Sequence, residues 1–196
     1  MTELPLAGDA EALYMACPSG PAAQLAAQLS AMSPPGPVLE LCCGVGGLTR
    51  ELARELARAG QKVLAVDQSL ERLQANRTNL AALGLEHSVS FLCCDLRYPA
   101  LRAPAGPLPF SASILDPDWS PPGERPDQWA KSLAHMEPPA GELVRLGLAL
   151  SPLVVIRLPR EISDDDLQTI MNGLLVSEIG MGGKRWRWMA LQKDRA

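Results

Sequence analysis

Val38-Leu39-Glu40-Leu41-Cys42-Cys43-Gly44-Val45-Gly46-Gly47-Leu48-Thr49 runs from an apolar segment through three glycines into residues with leucines at 48, 52 and 56. The first part is a short apolar run flanked by turn residues, which suits a strand buried on both faces. Leucines four apart then mark one face of a helix. Strand, glycine turn and helix follow one another within twenty residues.

The same alternation continues downstream. Gly60 closes the first helix, residues 62–67 make a second strand, and Ser69 caps a helix that reaches residue 83 before Gly84 ends it. Residues 89–94 form a third strand and residues 110–115 a fourth, whose carboxyl end carries Asp116. Helices are expected near residues 127–136 and 141–150, then a fifth strand over 153–158. Ser163 opens another helix, with Asp164, Asp165 and Asp166 complementing its dipole. Residues 174–179 and 185–191, joined through Gly180-Met181-Gly182-Gly183, read as a hairpin.

Upstream, Ala22, Leu25, Ala26 and Leu29 line one stripe of a helix over residues 21–32, which Ser33-Pro34-Pro35-Gly36-Pro37 stops. Residues 1–20 carry no strong period. Strands alternating with helices and ending in a hairpin predict an α/β fold. The sheet is expected to be a Rossmann-like, doubly wound, mostly parallel one of seven strands with a C-terminal antiparallel hairpin. The expected organisation is one domain over residues 1–196, with an N-terminal helical segment (1–35) and a core (36–196).

Composition agrees with this size of fold. The 196 residues are 47% hydrophobic, enough for one substantial core. Apolar stretches break well short of the roughly 20 residues that span a bilayer, so a cytoplasmic protein without membrane contact is expected. Cys17, Cys42, Cys43, Cys93 and Cys94 lack zinc-type spacing, so buried reduced thiols and no metal are expected. A net charge of -4 argues against a generally basic nucleic-acid-binding surface.

In such sheets a ligand sits outside the carboxyl ends of the strands, where their order reverses. Glycines 44, 46 and 47 let the backbone come close to it, and the next helix aims its first amides there. Asp67 ends the second strand about 20 residues on, where an acid commonly accepts from ribose hydroxyls. Asp95 ends the third strand and is placed to accept from an adenine amino group. The ligand class is therefore an adenosine nucleoside or nucleotide. Glu40 lies two residues before the position of the first glycine in a dinucleotide fingerprint. An acid there repels a pyrophosphate and suits a sulfonium or ammonium group, which favours S-adenosylmethionine over NAD.

With V-L-E-L-C-C-G-V-G-G-L-T, V-L-A-V-D-Q-S, S-F-L-C-C-D-L and I-L-D-P-D-W in hand, the sequence resembles class I S-adenosylmethionine-dependent methyltransferases. Within them it is most similar to the trimethylguanosine-synthase-like RNA guanine-N2 methyltransferases. That closer likeness rests on Cys43-Gly44-Val45-Gly46-Gly47, on Trp119, and on Val154-Val155-Ile156-Arg157-Leu158-Pro159-Arg160. Tyr14-Met15-Ala16-Cys17-Pro18 sits where that family has a cofactor-contacting segment.

The resemblance implies that Glu40, Cys42, Gly44 and Gly46 surround the methionine moiety, Asp67 and Gln68 the ribose, and Asp95 and Leu96 the adenine. It implies an acceptor site at Asp116, Pro117, Asp118 and Trp119. Asp118 replaces the family's second proline, and Cys17 a usual threonine. The expected acceptor is an exocyclic amine such as guanine N2 in RNA or a cap-like nucleotide, with an amine or another small acceptor on a small molecule as the second alternative and a cofactor-binding regulatory protein without catalysis as the third. Asp116 and the Pro117 carbonyl would accept from the amine, and Trp119 would stack on the base. Lys184, Arg185, Arg187, Lys193 and Arg195 flank Trp186 and Trp188 in what reads as a solvated hairpin with buried tryptophans. Arg157 and Arg160 are the better phosphate candidates.

Overall fold

The structure is a computed structural model and describes residues 5–97, 101, 106–119, 132–180 and 182–193. One sheet of seven strands runs in the order β3-β2-β1-β4-β5-β7-β6. Its strands are β1 (Val38–Leu41), β2 (Val63–Asp67), β3 (Val89–Cys93), β4 (Ala112–Leu115), β5 (Leu153–Pro159), β6 (Leu174–Ile179) and β7 (Trp186–Lys193). The first five are mutually parallel. β7 enters antiparallel between β5 and β6, completing the expected terminal hairpin. The seven-stranded, doubly wound architecture is the one the alternating pattern predicts.

Each central strand is buried on both faces, so its successive side chains feed two separate cores. Val38, Ala112, Ile114, Leu153, Val155 and Trp188 pack with helices α2 (Ser19–Met32), α3 (Thr49–Ala57) and α4 (Leu70–Ala81). Leu39, Leu41, Leu115, Val154, Ile156 and Met189 pack with α5 (Ala140–Leu150) and α6 (Asp164–Met171). The alternation places Glu40, Asp116 and Arg157 on the first of these faces, at sequence positions where a hydrophobic residue is the default. All three lie at or near the carboxyl ends of β1, β4 and β5.

Capping follows the sequence closely. Ser69 Oγ accepts from the amide of Arg72 and Ser163 Oγ from that of Asp166, so α4 and α6 begin where expected. The N-terminal segment differs from its reading: a short helix, α1 (Ala10–Met15), begins at Asp9, whose carboxylate accepts from the Ala12 amide. Its six residues are too few to show a period, which is why no pattern announces it. Of the helix expected over 127–136, residues 127–131 lie outside the described residues, and in place of the remainder Leu133–His135 form a single 3-10 turn. Among the described residues, no helix is long and apolar enough to cross a membrane.

Candidate functional site

The loop after β1 is shaped by left-handed backbone. Gly44 has φ 52° and Gly46 φ 93°, and Cys42, although not a glycine, has φ 62°. A non-glycine residue in that region stores strain, which native structures keep mainly where a site requires the geometry. The turn is fastened from β2: Asp67 accepts from the Gly44 amide at 2.8 Å and, through its other oxygen, from the Ser69 amide at 2.9 Å. Asp67 therefore holds the glycine turn and the start of α4 together.

Gly46 faces away from the loop's open side. A Cβ there would lie 2.2 Å from Oδ1 of Asn76, whose amide donates to Thr49 Oγ1 at 2.9 Å. Gly46→Ala adds both that collision and the cost of left-handed φ, so it is expected to destabilise the protein by about 2–4 kcal/mol, read as the loss in a denaturant titration. A change below about 0.5 kcal/mol would contradict this packing. Gly47 serves a different approach: its Cβ would meet the Cys17 carbonyl oxygen at 2.7 Å. That close approach brings the segment after α1 over the turn. Asn79 anchors the chain further upstream by accepting from the Ala7 amide while donating to the carbonyls of Ala7 and Val45.

These elements enclose a cavity at the carboxyl ends of β1, β2 and β4. Among its lining residues are Met15 and Cys17 from the N-terminal segment, Glu40, Cys42 and Gly44, Asp67 and Gln68, Leu96, and Asp116, Pro117 and Asp118. Its ionisable lining is acidic: Glu40, Asp67, Asp116, Asp118 and Glu137 against Arg72 and Arg157. Such a surface favours a cationic ligand. Glu40 is only 1% exposed, and its Oε2 has no hydrogen-bond partner among the described residues. Burial pushes its carboxyl up to about 8, partly countered by a hydrogen bond from Thr49, with the negative Asp116 and Asp67 adding to the rise. An unsatisfied buried carboxyl on a cavity wall is costly unless a donor or cation arrives there.

Asp116 is the second perturbed acid. Burial raises its carboxyl to about 6, with Arg157 opposing the rise and Asp118 adding to it. Nε of Arg157 lies 2.8 Å from Asp116 Oδ1, held by charge rather than by an aligned hydrogen bond. Nη2 of Arg157 donates to the Met15 carbonyl at 2.9 Å. Its guanidinium also stands 4.5 Å from the Trp119 ring, 5.3 Å from Trp186 and 5.9 Å from Trp188. Arg157 thereby connects the end of β4, the N-terminal segment and β7.

Several sequence expectations are met by different neighbours. Arg157, read as a phosphate ligand, is 4% exposed and committed to Asp116 and the tryptophans. A charged residue inside an apolar strand was the signal, and it meant a buried ion pair rather than a surface contact. Arg160 is bound to Glu178 and the Gly183 carbonyl. Trp119 is 5% exposed, donates from its indole nitrogen to the Arg157 carbonyl and has the guanidinium against its ring. As the chain stands, that face of the ring is occupied.

Asp95 does not line the cavity; Arg97 draws its carboxylate aside with a 2.6 Å contact, while the adjacent Cys94 and Leu96 do line it. Gly46 is likewise off the lining. The thiols are unpaired, as expected, but only Cys17 and Cys43 are buried; Cys42 and Cys94 are half-buried and Cys93 is exposed. Glu137 and Pro138 are lining residues that no motif announced. Paired backbone hydrogen bonds of 2.9 and 3.0 Å between Asp118 and Glu137 bring them there across a long sequence gap.

Comparison with known proteins bears on the fold and on residues 38–117. Residues 38–117 match the protein family described as Methyltransferase domain. Among solved structures, the chain is similar to the O-methyltransferase TomG from Streptomyces achromogenes, crystallised with SAM. The identity is 17% and the TM-score 0.63, over 97% of this chain and 93% of that one. It is also similar to TrmN from Thermus thermophilus, at 23% identity and TM-score 0.61, over 88% of this chain and 48% of that one. NSun6 from Pyrococcus horikoshii, solved with SFG, shares 20% identity and a TM-score of 0.60, over 90% of this chain and 52% of that one. Residues 38–117 thus match a methyltransferase domain, and the chain as a whole has the fold of class I S-adenosylmethionine-dependent methyltransferases.

Proposed function

We propose that the protein transfers the methyl group of S-adenosylmethionine to an exocyclic amine, with a guanine amino group in RNA as the acceptor. The observation that carries the reading is a pair of acids on the wall of one cavity, the buried Glu40 and the half-buried Asp116. Glu40 fits a cation at the inner end, since its Oε2 otherwise goes unsatisfied. In this reading Cys42, Gly44, Asp67, Gln68 and Leu96 hold the rest of the nucleoside. When bound, S-adenosylmethionine supplies an electrophilic methyl group on sulfur.

An amine conjugated to a ring is a weak nucleophile because its lone pair is delocalised. Asp116 and the Pro117 carbonyl would accept from the amine hydrogens, favour a pyramidal nitrogen and fix its approach; orientation of this kind supplies much of the rate. With its carboxyl near 6, Asp116 is mostly ionised at neutral pH and is also suited to take the proton released on methylation. Asp118 lines the same wall and adds negative charge there.

A small amine-bearing molecule is the second reading, favoured by the net charge of -4, which gives no broad attraction for a polyanion. Labelled S-adenosylmethionine offered with total RNA, and separately with a metabolite extract, separates the two. The expected result is label in RNA that digests to a methylated guanine. Label only in small metabolites would replace the RNA assignment with the second reading.

A further inference from the structure

A second cavity of about 350 Å³ lies on the other side of Arg157, within the size range of small-molecule sites. It shares Met15, Ala16 and Arg157 with the first cavity and is otherwise lined by Tyr14, Pro18, Trp119, Lys184, Arg185 and Trp186. Its wall combines aromatic side chains with three cationic ones. The first cavity, by contrast, is lined mostly by acids.

We propose that this second cavity is a binding site for a flat ring carrying an anionic group. The ring would lie against Tyr14 and Trp186, with its anion at Lys184 and Arg185. Three observations support that assignment. Tyr14 is 58% exposed and lines the cavity, so its ring is accessible from that cavity. Lys184 is exposed and makes no ion pair with any described residue, so its charge is available to a ligand.

Trp186, finally, is held in a fixed orientation. A Cβ on Gly183 would lie 2.3 Å from its indole nitrogen, and its ring packs edge-on to Trp188 at 5.7 Å between centroids. A rigid aromatic surface loses little entropy on binding, which favours recognition of flat ligands. Arg157, which pairs with Asp116, lines both cavities, so the second cavity adjoins the acidic wall of the first. The inference rests on the methyl-transfer reading only in naming this ligand the acceptor. Binding is a separate matter.

The test is tryptophan fluorescence with S-adenosylhomocysteine present, titrating guanosine 5'-monophosphate, guanosine and an aminobenzoate. Quenching by the monophosphate or the aminobenzoate at sub-millimolar concentration is expected, with at least tenfold weaker binding of uncharged guanosine. Which of the two anions binds identifies the ligand's source. Lys184→Glu is expected to weaken the charged ligand at least tenfold while leaving S-adenosylhomocysteine binding within threefold, which also reports that the variant is folded. Trp186→Leu should remove most of the quench. Failure of both anionic ligands, or equal binding to wild type and Lys184→Glu, would overturn the proposal. Binding without methyl transfer would refute the catalytic reading and leave this site standing.

Discussion

Asp116→Asn is expected to lower turnover by about 10²- to 10³-fold while S-adenosylhomocysteine affinity stays within about threefold of wild type. The substitution keeps an oxygen beside Arg157 but removes the negative charge that the ion pair and the proposed amine contact both use. The loss should fall on kcat, because Asp116 is assigned to the acceptor and not to cofactor affinity. Retained binding of S-adenosylhomocysteine separates this outcome from misfolding.

Asp116 also sets a pH dependence. Its carboxyl is raised from 3.8 to about 6, so the active, ionised form is lost as pH falls through about 6. Wild-type turnover is therefore expected to drop roughly tenfold per pH unit below that point, and the residual activity of Asp116→Asn to lack this limb. Unchanged turnover in the variant, or a wild-type profile flat between pH 5 and 8, would remove Asp116 from the chemistry.

Much of this was legible in the chain because local signals agreed with one another. The apolar run before Gly44, the Ser69 and Ser163 caps and the leucine spacing of α3 each name one element, and together they allow only a sheet with helices on both faces. Asp67 was readable as the acid closing β2, although its observed protein contacts are the Gly44 and Ser69 amides. Glu40 stood out as a charge within an apolar run. Burial on both faces of β1 turns that oddity into an unsatisfied carboxyl.

What stayed hidden depends on contacts between distant residues. Arg157 and Asp116 are 41 positions apart, and no spacing rule joins the ends of β4 and β5 to the Met15 carbonyl. Trp119 was readable as an aromatic beside the acceptor position, but not that a guanidinium would lie on its ring. Asp95 looked equivalent to Asp67 because both end strands. It differs because Arg97, two residues on, satisfies it locally. The second cavity needs α1 and the start of β7 side by side, and neither carries a motif for the other.

The cofactor assignment turns on Glu40. Its carboxyl lies near 8 in the folded chain and near 4.5 when unfolded, so the folded state retains a proton that the unfolded state has released. This contribution favours the fold below about pH 4.5 and is lost as pH rises to about 8, a span worth roughly 5 kcal/mol. An ammonium or sulfonium beside Glu40 reverses the preference and draws off the proton. Binding at pH 7 should consequently release close to one proton, whereas Glu40→Gln, which cannot ionise, should release almost none and bind on the order of 10²-fold more weakly.

Calorimetric titration of the wild-type protein with S-adenosylmethionine at pH 7, in two buffers of different ionisation enthalpy, measures both quantities at once. Saturable binding at one site with close to one proton released is the predicted result. No binding by folded protein, or binding whose heat is the same in both buffers, would contradict the placement of that cation at Glu40.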